Sequence, residues 1–295
     1  MKLSVLMSVY FKESPIFLRA CLDSLAAQTR MPDEVVIVED GPLGEELEET
    51  LRANPKHLPI VPVRLPVNVG LGAALRAGLN ECGGEYVARM DSDDICIPER
   101  LQMQVSFLDS HPEVDVVGGS IAEFAENTSS PCTLRLLPTE GAALRRFAKS
   151  RTPMNHMTVV FRKASVVAAG NYESCQGFED YHLWARMLTL GYHLHNMSEI
   201  LVFARCGNGM HARRGGIVYL KHEVGLMLYF RKLGFLGNIE CAARILLRAP
   251  CRLLPEFLRS ICYRFFLRDR LADPIVGSPP GWNDPTLANH SGQGV

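Results

Sequence analysis

The chain of 295 residues lacks any run of about eighteen uninterrupted apolar residues, so no membrane-spanning helix is expected. Its apolar start, Met1 to Met7, is broken by Lys12 and Glu13 too soon for a secretory leader. An excess of basic charge is also missing: the formal net charge is -1, which removes the electrostatic footprint of a nucleic-acid binder. None of the nine cysteines stands in a CxxC pair, and their number is odd. That argues against a disulfide framework or a zinc site and fits a reducing compartment. No internal repeat is visible, which excludes a solenoid. The hydrophobic share of 47% and the charged share of 21% are those of an ordinary globular protein, one large domain or one domain with appendages.

Buried-strand patterns dominate the first half. Leu3 to Val9 and Val35 to Val38 are continuous apolar runs, the mark of strands covered on both faces. Between them Ser14 and Pro15 signal a helix start, and Phe17, Leu18, Cys21, Leu22 and Leu25 recur at helical spacing. Strand, helix and strand with short links form a βαβ unit, hence a parallel sheet. A helix over Glu45 to Ala53 and a strand near Ile60 to Leu65 follow. Asn68-Val69-Gly70-Leu71-Gly72 then turns into another helix, with Gly72 expected to allow close helix–sheet packing. Later elements are expected as a strand at Val114 to Gly118, an irregular loop or edge hairpin over Ala122 to Leu137, a strand at His156 to Phe161, a helix at Glu179 to Leu190, and two short strands within Leu194 to Ala204.

The chemistry concentrates just past one strand. Tyr86-Val87-Ala88-Arg89-Met90 reads as β, and Asp91, Asp93 and Asp94 follow within four positions. Adjacent carboxylates repel, so an uncompensated cluster raises its own pKa values. In an open α/β sheet, ligands bind at the carboxyl ends of strands. Carboxylates placed there suit Mg²⁺ or Mn²⁺, hard ions that take one or two carboxylates plus substrate phosphate oxygens. The residues therefore point to a metal–diphosphate site.

Five stretches then occur in a recognisable order: Ser4-Val5-Leu6-Met7-Ser8-Val9-Tyr10, Val38-Glu39-Asp40-Gly41, Asn68-Val69-Gly70-Leu71, Arg89-Met90-Asp91-Ser92-Asp93-Asp94 and Phe178-Glu179-Asp180-Tyr181-His182-Leu183-Trp184. Over about residues 3 to 230 the chain resembles family 2 glycosyltransferases of the GT-A fold, in particular bacterial enzymes of exopolysaccharide, capsule and O-antigen assembly. The resemblance implies a Rossmann-like, mostly parallel sheet with helices on both faces. It also implies an inverting reaction with a UDP-sugar donor, Mn²⁺ or Mg²⁺, and a lipid-linked saccharide acceptor. On this numbering Ser8 and Asp40, or Glu39 in its place, would line the nucleoside pocket. Asp91 would contact the ribose or support the metal, and Asp93 would bind it. Asp180 would be the base, with Glu179 beside it. Trp184 and His156 would stand near the acceptor, Arg205 near the diphosphate, and His211 would be a candidate further metal ligand. Asp180 at a helix N-terminus has its anion stabilised, so a base working near neutral pH needs partial burial or Glu179 to offset that.

Residues 1–232 are expected to form the catalytic domain, with a nucleotide-sugar half at about 1–97 and an acceptor half at about 98–232. From 233 to 271, arginines including Arg244, Arg248, Arg252, Arg259, Arg264 and Arg268 alternate with leucine, isoleucine and phenylalanine. Pro250 and Pro255 are expected to divide this stretch into short basic amphipathic helices lying on an anionic membrane surface. That would put the protein peripherally on the inner face of the bacterial cytoplasmic membrane. Residues 272–295, rich in Pro, Gly, Ser and Asn, read as a disordered tail. Two other classes compete. A nucleotidyltransferase would need a Gly- and Lys-rich phosphate loop, and Phe11-Lys12-Glu13-Ser14 is not one. A non-catalytic nucleotide-sugar-binding protein would have no need to retain Asp91, Asp93 and Asp180 together.

Overall fold

The computed structural model describes residues 1–54, 58–125, 127–206 and 216–253. His211, the basic stretch beyond Leu253 and the tail 272–295 lie outside the described residues.

A nine-stranded sheet forms the centre. Strands β1 (Leu3–Val9), β2 (Glu34–Glu39), β3 (Ile60–Arg64) and β4 (Tyr86–Arg89) are parallel and lie in the order β3-β2-β1-β4. Past β4 the sheet turns mixed: β8 (Val160–Arg162), β6 (Val116–Phe124), β9 (Leu194–Arg205) and the two-residue β5 (Ile95–Cys96) complete it, with β7 (Thr133–Arg135) hairpinned onto β6. The chain leaves β1 in one direction to form β2 and β3, then crosses to the other side of β1 to form β4. That reversal opens a crevice outside the carboxyl ends of β1 and β4, where a ligand can enter.

Alternation along β1 and β2 explains the helices on both faces. Leu3, Val5, Met7, Val9, Val35 and Ile37 point to one face, against Leu18, Cys21, Leu22 and Leu25 of α1 (Pro15–Ala26) and Leu101, Val105 and Leu108 of α4 (Arg100–Ser110). Leu6, Val36 and Val38 point to the other, against α3 (Leu71–Glu81) and the cluster containing α7 (Glu179–Thr189) and α8 (Gly216–Lys232). Each buried leucine or valine contributes roughly 1.5–3 kcal/mol of transfer free energy, so both faces must be covered. The connecting helices α2 (Glu45–Ala53), α5 (Gly141–Ala148) and α6 (Lys163–Ala168) are shorter.

Several local expectations change. The expected strand at Val114 to Gly118 is the longer β6, which runs through Gly118 and Gly119 to Phe124; a Cβ at Gly119 would lie 2.4 Å from Leu201 Cδ1, so these glycines admit β9 rather than end the strand. Leu194 to Ala204 is one strand, its register against β6 shifting between Gly118 and Ile121. His156–Thr158 is a 3-10 turn, and the strand begins only at Val160. The Ser14 hydroxyl makes no cap; the Glu13 carboxylate accepts from the Ser14 amide instead, at 2.9 Å. Close helix–sheet approach belongs to Gly78, where a Cβ would lie 2.4 Å from Val38 Cγ2 and 2.5 Å from Leu6 Cδ1. Gly72 instead abuts Glu173 O and Glu179 Cγ.

The C-terminal segment also differs. α9 (Asn238–Leu253) runs through Pro250 instead of breaking there. Among its expected lipid-facing arginines, Arg248 and Arg252 turn inward to the buried Glu223 of α8, at 2.6 and 2.7 Å. Ile239, Leu246 and Leu247 are its exposed large apolar residues. No helix among the described residues is long and apolar enough to cross a membrane.

Candidate active site

β4 delivers the acidic loop at the crevice. Arg89, the last residue of the strand, is buried, and its guanidinium grips the Asp91 carboxylate. Arg89 Nε and Nη1 are buried and meet no hydrogen-bond partner among the described residues. Below the loop, the buried Arg100 donates to Arg89 O at 2.7 Å and pairs with Gln104 Oε1 at 3.1 Å, fixing the strand end from beneath. Glu13, from the loop after β1, accepts from Ser92 Oγ at 2.5 Å.

The acids divide their work. Asp94 is buried; its Oδ1 accepts from the Arg205 amide at 2.8 Å, tying the loop to the end of β9. The Arg205 side chain lies between the rings of Phe17 (3.9 Å) and Phe124 (4.5 Å), with Nε donating to Asp93 O at 3.2 Å. Arg205 thus braces the loop's backbone. Asp93 is half-buried. Burial, with Asp91 and Glu13 nearby, pushes its carboxyl up to about 7. Burial and the neighbouring Asp93 and Asp91 raise Asp94 as well. Arg89, paired with Asp91, only partly offsets this negative charge, so the loop keeps an excess. Hard oxygen donors in that state fit a divalent ion, which would relieve the repulsion. Among the described residues no three His, Cys, Asp or Glu side chains gather as a self-sufficient cage, so such an ion would need oxygens from a substrate as well.

At the end of β2, Asp40 is buried, and its carboxylate accepts from the amides of Val69 (2.7 Å) and Gly70 (3.1 Å). It clamps the turn entering α3, and each oxygen retains a second lone pair. Glu39 pairs with the exposed Arg64 at 3.2 Å. Ser8, paired with Val38 across β1 and β2, lies half-buried near the same sheet end.

From the opposite side comes the N-terminus of α7. Glu179 is buried against Gly72, accepts from the Gly177 amide at 3.2 Å, and has its carboxyl raised by burial. Asp180 stays half-exposed and accepts from Thr152 Oγ1 at 2.9 Å. Between the two acidic groups lies Tyr172, buried, in electrostatic reach of Arg89, Asp180 and Asp91. The Tyr172 hydroxyl meets His156 Nε2 at 2.9 Å. Burial, reinforced by Arg89, pushes His156 well below the usual imidazole range, so it stays neutral. Trp184 is fully buried and meets His156 edge-on at 6.1 Å, so it backs the site rather than offering a face to solvent. Arg186 carries the loop before α7 by donating to the carbonyls of Ala169 (2.7 Å) and Asn171 (2.5 Å).

Tyr172 thus links Arg89, Asp91, Asp180 and His156, and Glu179 lies in electrostatic reach of Asp180 and Arg89, while Asp40, Glu39 and Ser8 lie at the neighbouring strand ends. Sequence reasoning missed Arg89, Thr152 and Tyr172. Arg89 had a signal, a basic residue closing a strand two positions before an acid. Thr152 and Tyr172 had none, because long loops bring them in.

Comparison with known proteins identifies the family and the fold. Residues 4–167 match the family described as Glycosyl transferase family 2. An uncharacterized glycosyltransferase of Haemophilus influenzae is 44% identical over 91% of this chain and 100% of its own length. The amylovoran biosynthesis glycosyltransferase AmsE of Erwinia amylovora is 42% identical over 88% and 97%. A UDP-Gal:alpha-D-GlcNAc-diphosphoundecaprenol beta-1,3-galactosyltransferase of Escherichia coli is 34% identical over 90% and 97%. Among solved structures, S. aureus TarS 1-349 in complex with UDP-GlcNAc superposes with a TM-score of 0.62 at 21% identity, over 91% of this chain and 76% of that one. The mannosyltransferase PcManGT from Pyrobaculum calidifontis, in complex with GDP-Man and Mn2+, gives 0.61 at 19%, over 89% and 79%. These likenesses carry the GT-A fold.

Proposed function

The chain belongs to the family 2 glycosyl transferases and is a glycosyltransferase, and from that premise we propose that it moves a hexose from a UDP-sugar to a lipid-linked saccharide, with inversion, in bacterial surface polysaccharide synthesis. The observation that carries the reading is the buried Tyr172, in electrostatic reach of both Asp91 after β4 and Asp180 at the start of α7. The names of the Erwinia and Escherichia relatives support the polysaccharide setting, the UDP donor and the diphosphate-lipid acceptor.

Asp91 and Asp93 would hold Mn²⁺ or Mg²⁺, which when bound neutralises charge on a leaving diphosphate. Arg89 keeps Asp91 oriented from behind. Ser8, Asp40 and Glu39 border the place for the nucleoside, and Asp40 sets the Val69–Gly70 turn beside it. Asp180 takes the acceptor hydroxyl's proton as that oxygen attacks the anomeric carbon from the face opposite UDP. Displacement of an α-linked donor in this way leaves a β-glycoside. Glu179, buried against Gly72 and accepting from the Gly177 amide, supports the helix start beside the base. His156, neutral and fixed by Tyr172, can offer its other ring nitrogen to the acceptor.

Membrane contact fits the exposed stripe of Ile239, Leu246 and Leu247 on α9. An apolar face at this end would seat in the lipid interface that holds the acceptor, on the cytoplasmic side.

The test is UDP release from a panel of UDP-sugars with a lipid-linked monosaccharide, with and without Mn²⁺ or Mg²⁺. Metal-dependent turnover of one donor is expected. Asp180→Asn abolishes transfer and keeps UDP binding; loss of both together would remove Asp180 from the role of base.

A further inference from the structure

We propose that Thr152 is the positioning residue of the Asp180 carboxylate, and that α9 holds Thr152 in place by gripping the segment that carries it. The inference rests on Asp180 being the base.

Asp180 is the second residue of α7 and only half-buried, so its side chain needs an external hold to keep one rotamer. Thr152 Oγ1 supplies it, donating to Asp180 Oδ2 at 2.9 Å; its other contact, Met154 O at 3.4 Å, is longer. Oδ1 is left for an acceptor hydroxyl. Pro153 follows Thr152 and confines its backbone to extended conformations. Asn196 Nδ2 fixes the Pro153 carbonyl at 2.9 Å.

The other side of Thr152 is held by the C-terminal hairpin. Tyr181, next to Asp180, donates from its hydroxyl to Ala148 O at 2.5 Å. Arg248 of α9 donates through Nη2 to Ser150 O and through Nη1 to Glu223 Oε1, the latter at 2.6 Å. Arg252 holds the second oxygen of Glu223 at 2.7 Å. Lys149 meets Glu240, at the start of α9, at 2.8 Å. That pair is more than a third exposed and adds little by itself. The Arg248 link carries more, because Glu223 is buried and charge-assisted bonds in such surroundings are strong. α9 thus touches residues 149 and 150, three and two positions from the hydroxyl that aims the base. The same helix presents the exposed Ile239, Leu246 and Leu247 on its outer side, so whatever seats that face bears on the Thr152–Asp180 contact.

The experiment is steady-state kinetics on Thr152→Val, Thr152→Ser, Arg248→Ala, the Thr152→Val/Arg248→Ala double variant and Asp180→Asn, with donor binding measured by calorimetry. Thr152→Val removes a hydrogen bond to a charged group and is expected to lower kcat about tenfold, with donor KM and Kd within about twofold of wild type. Thr152→Ser restores kcat to within about twofold. Arg248→Ala lowers kcat severalfold, and the double variant is no slower than Thr152→Val, because both act along one path. An unchanged kcat in Thr152→Val, alongside an inactive Asp180→Asn, overturns the proposal and leaves the base reading intact. Activity retained by Asp180→Asn overturns the base reading itself. Should Thr152→Val fail to fold, Thr152→Ala carries the same comparison.

Discussion

Asp93→Asn separates what the site does for function from what it does for stability. In the metal-free protein the Asp93 carboxyl is pushed from 3.8 up to about 7, by burial first and then by Asp91 and Glu13. Each whole step of pKa corresponds to about 1.4 kcal/mol, so the ionised carboxylate costs the fold at most about 4 kcal/mol. Asp93 is only half-buried, and its charge is shared with Asp91. Solvent screening therefore reduces the cost to about 1–3 kcal/mol. The sign follows from linkage. Below the unfolded value of 3.8 the group is neutral in both states and costs nothing. Between there and about 7 the unfolded chain gains by ionising while the folded one does not, so stability falls as pH rises. Above about 7 the penalty is complete. Asparagine keeps the shape and removes the penalty. Chelator-treated Asp93→Asn should therefore melt above wild type at pH 8, by about 2–4 °C per kcal/mol, with the gap narrowing toward pH 5. Adding Mn²⁺ should raise the melting temperature of wild type and leave the variant unmoved, and the variant should lose metal-dependent UDP release. The assay is thermal unfolding across pH with and without metal. A metal-free variant less stable than wild type at pH 8, or a gap that ignores pH, would refute the account of uncompensated charge.

Two further substitutions test the scaffold around the site. Gly78→Ala places a methyl 2.4 Å from Val38 Cγ2 and 2.5 Å from Leu6 Cδ1 in the middle of the sheet face; overpacking there should cost about 1–3 kcal/mol, read from urea unfolding. Glu223→Gln leaves Arg248 and Arg252 facing an uncharged partner in a buried place; a loss of about 2–4 kcal/mol and faster limited proteolysis between α8 and α9 are expected.

The parts of the fold legible in the chain were those where local pattern and final environment coincide. β1, β2 and β4 are covered on both faces, so a continuous apolar run is both their signal and their fate. Glycine was harder to read, since the same residue ends a strand or lets a neighbour in. At Gly118 and Gly119 the second meaning holds, and residues far along the chain, Met154, Asn196 and Leu201, decide it. β9 looked divided because His195, Asn196, Ser198 and Glu199 interrupt its apolar character. A strand continues through such residues when its partner supplies the ladder, as β6 does.

The same limit governs the site and α9. Asp91, Asp93, Asp180 and Glu179 were legible because carboxylates that follow strands and open helices are conspicuous one at a time. What makes them a site is long-range. Arg89 without Asp91 is a buried cation that no strand should tolerate; Asp91 without Arg89 is one more repelling acid. In α9, alternation of arginine with leucine establishes two faces and leaves open which one turns inward. Ordinary amphipathicity would bury the leucines. Glu223 reverses the choice, because a buried carboxylate must be paired, and only arginines on the inner face of α9 can reach it. Cys241 and Ile245 share that inner face and pack on the core, while Ile239, Leu246 and Leu247 fall on the outer one, so the exposure of Leu246 and Leu247 follows from which face Glu223 draws inward.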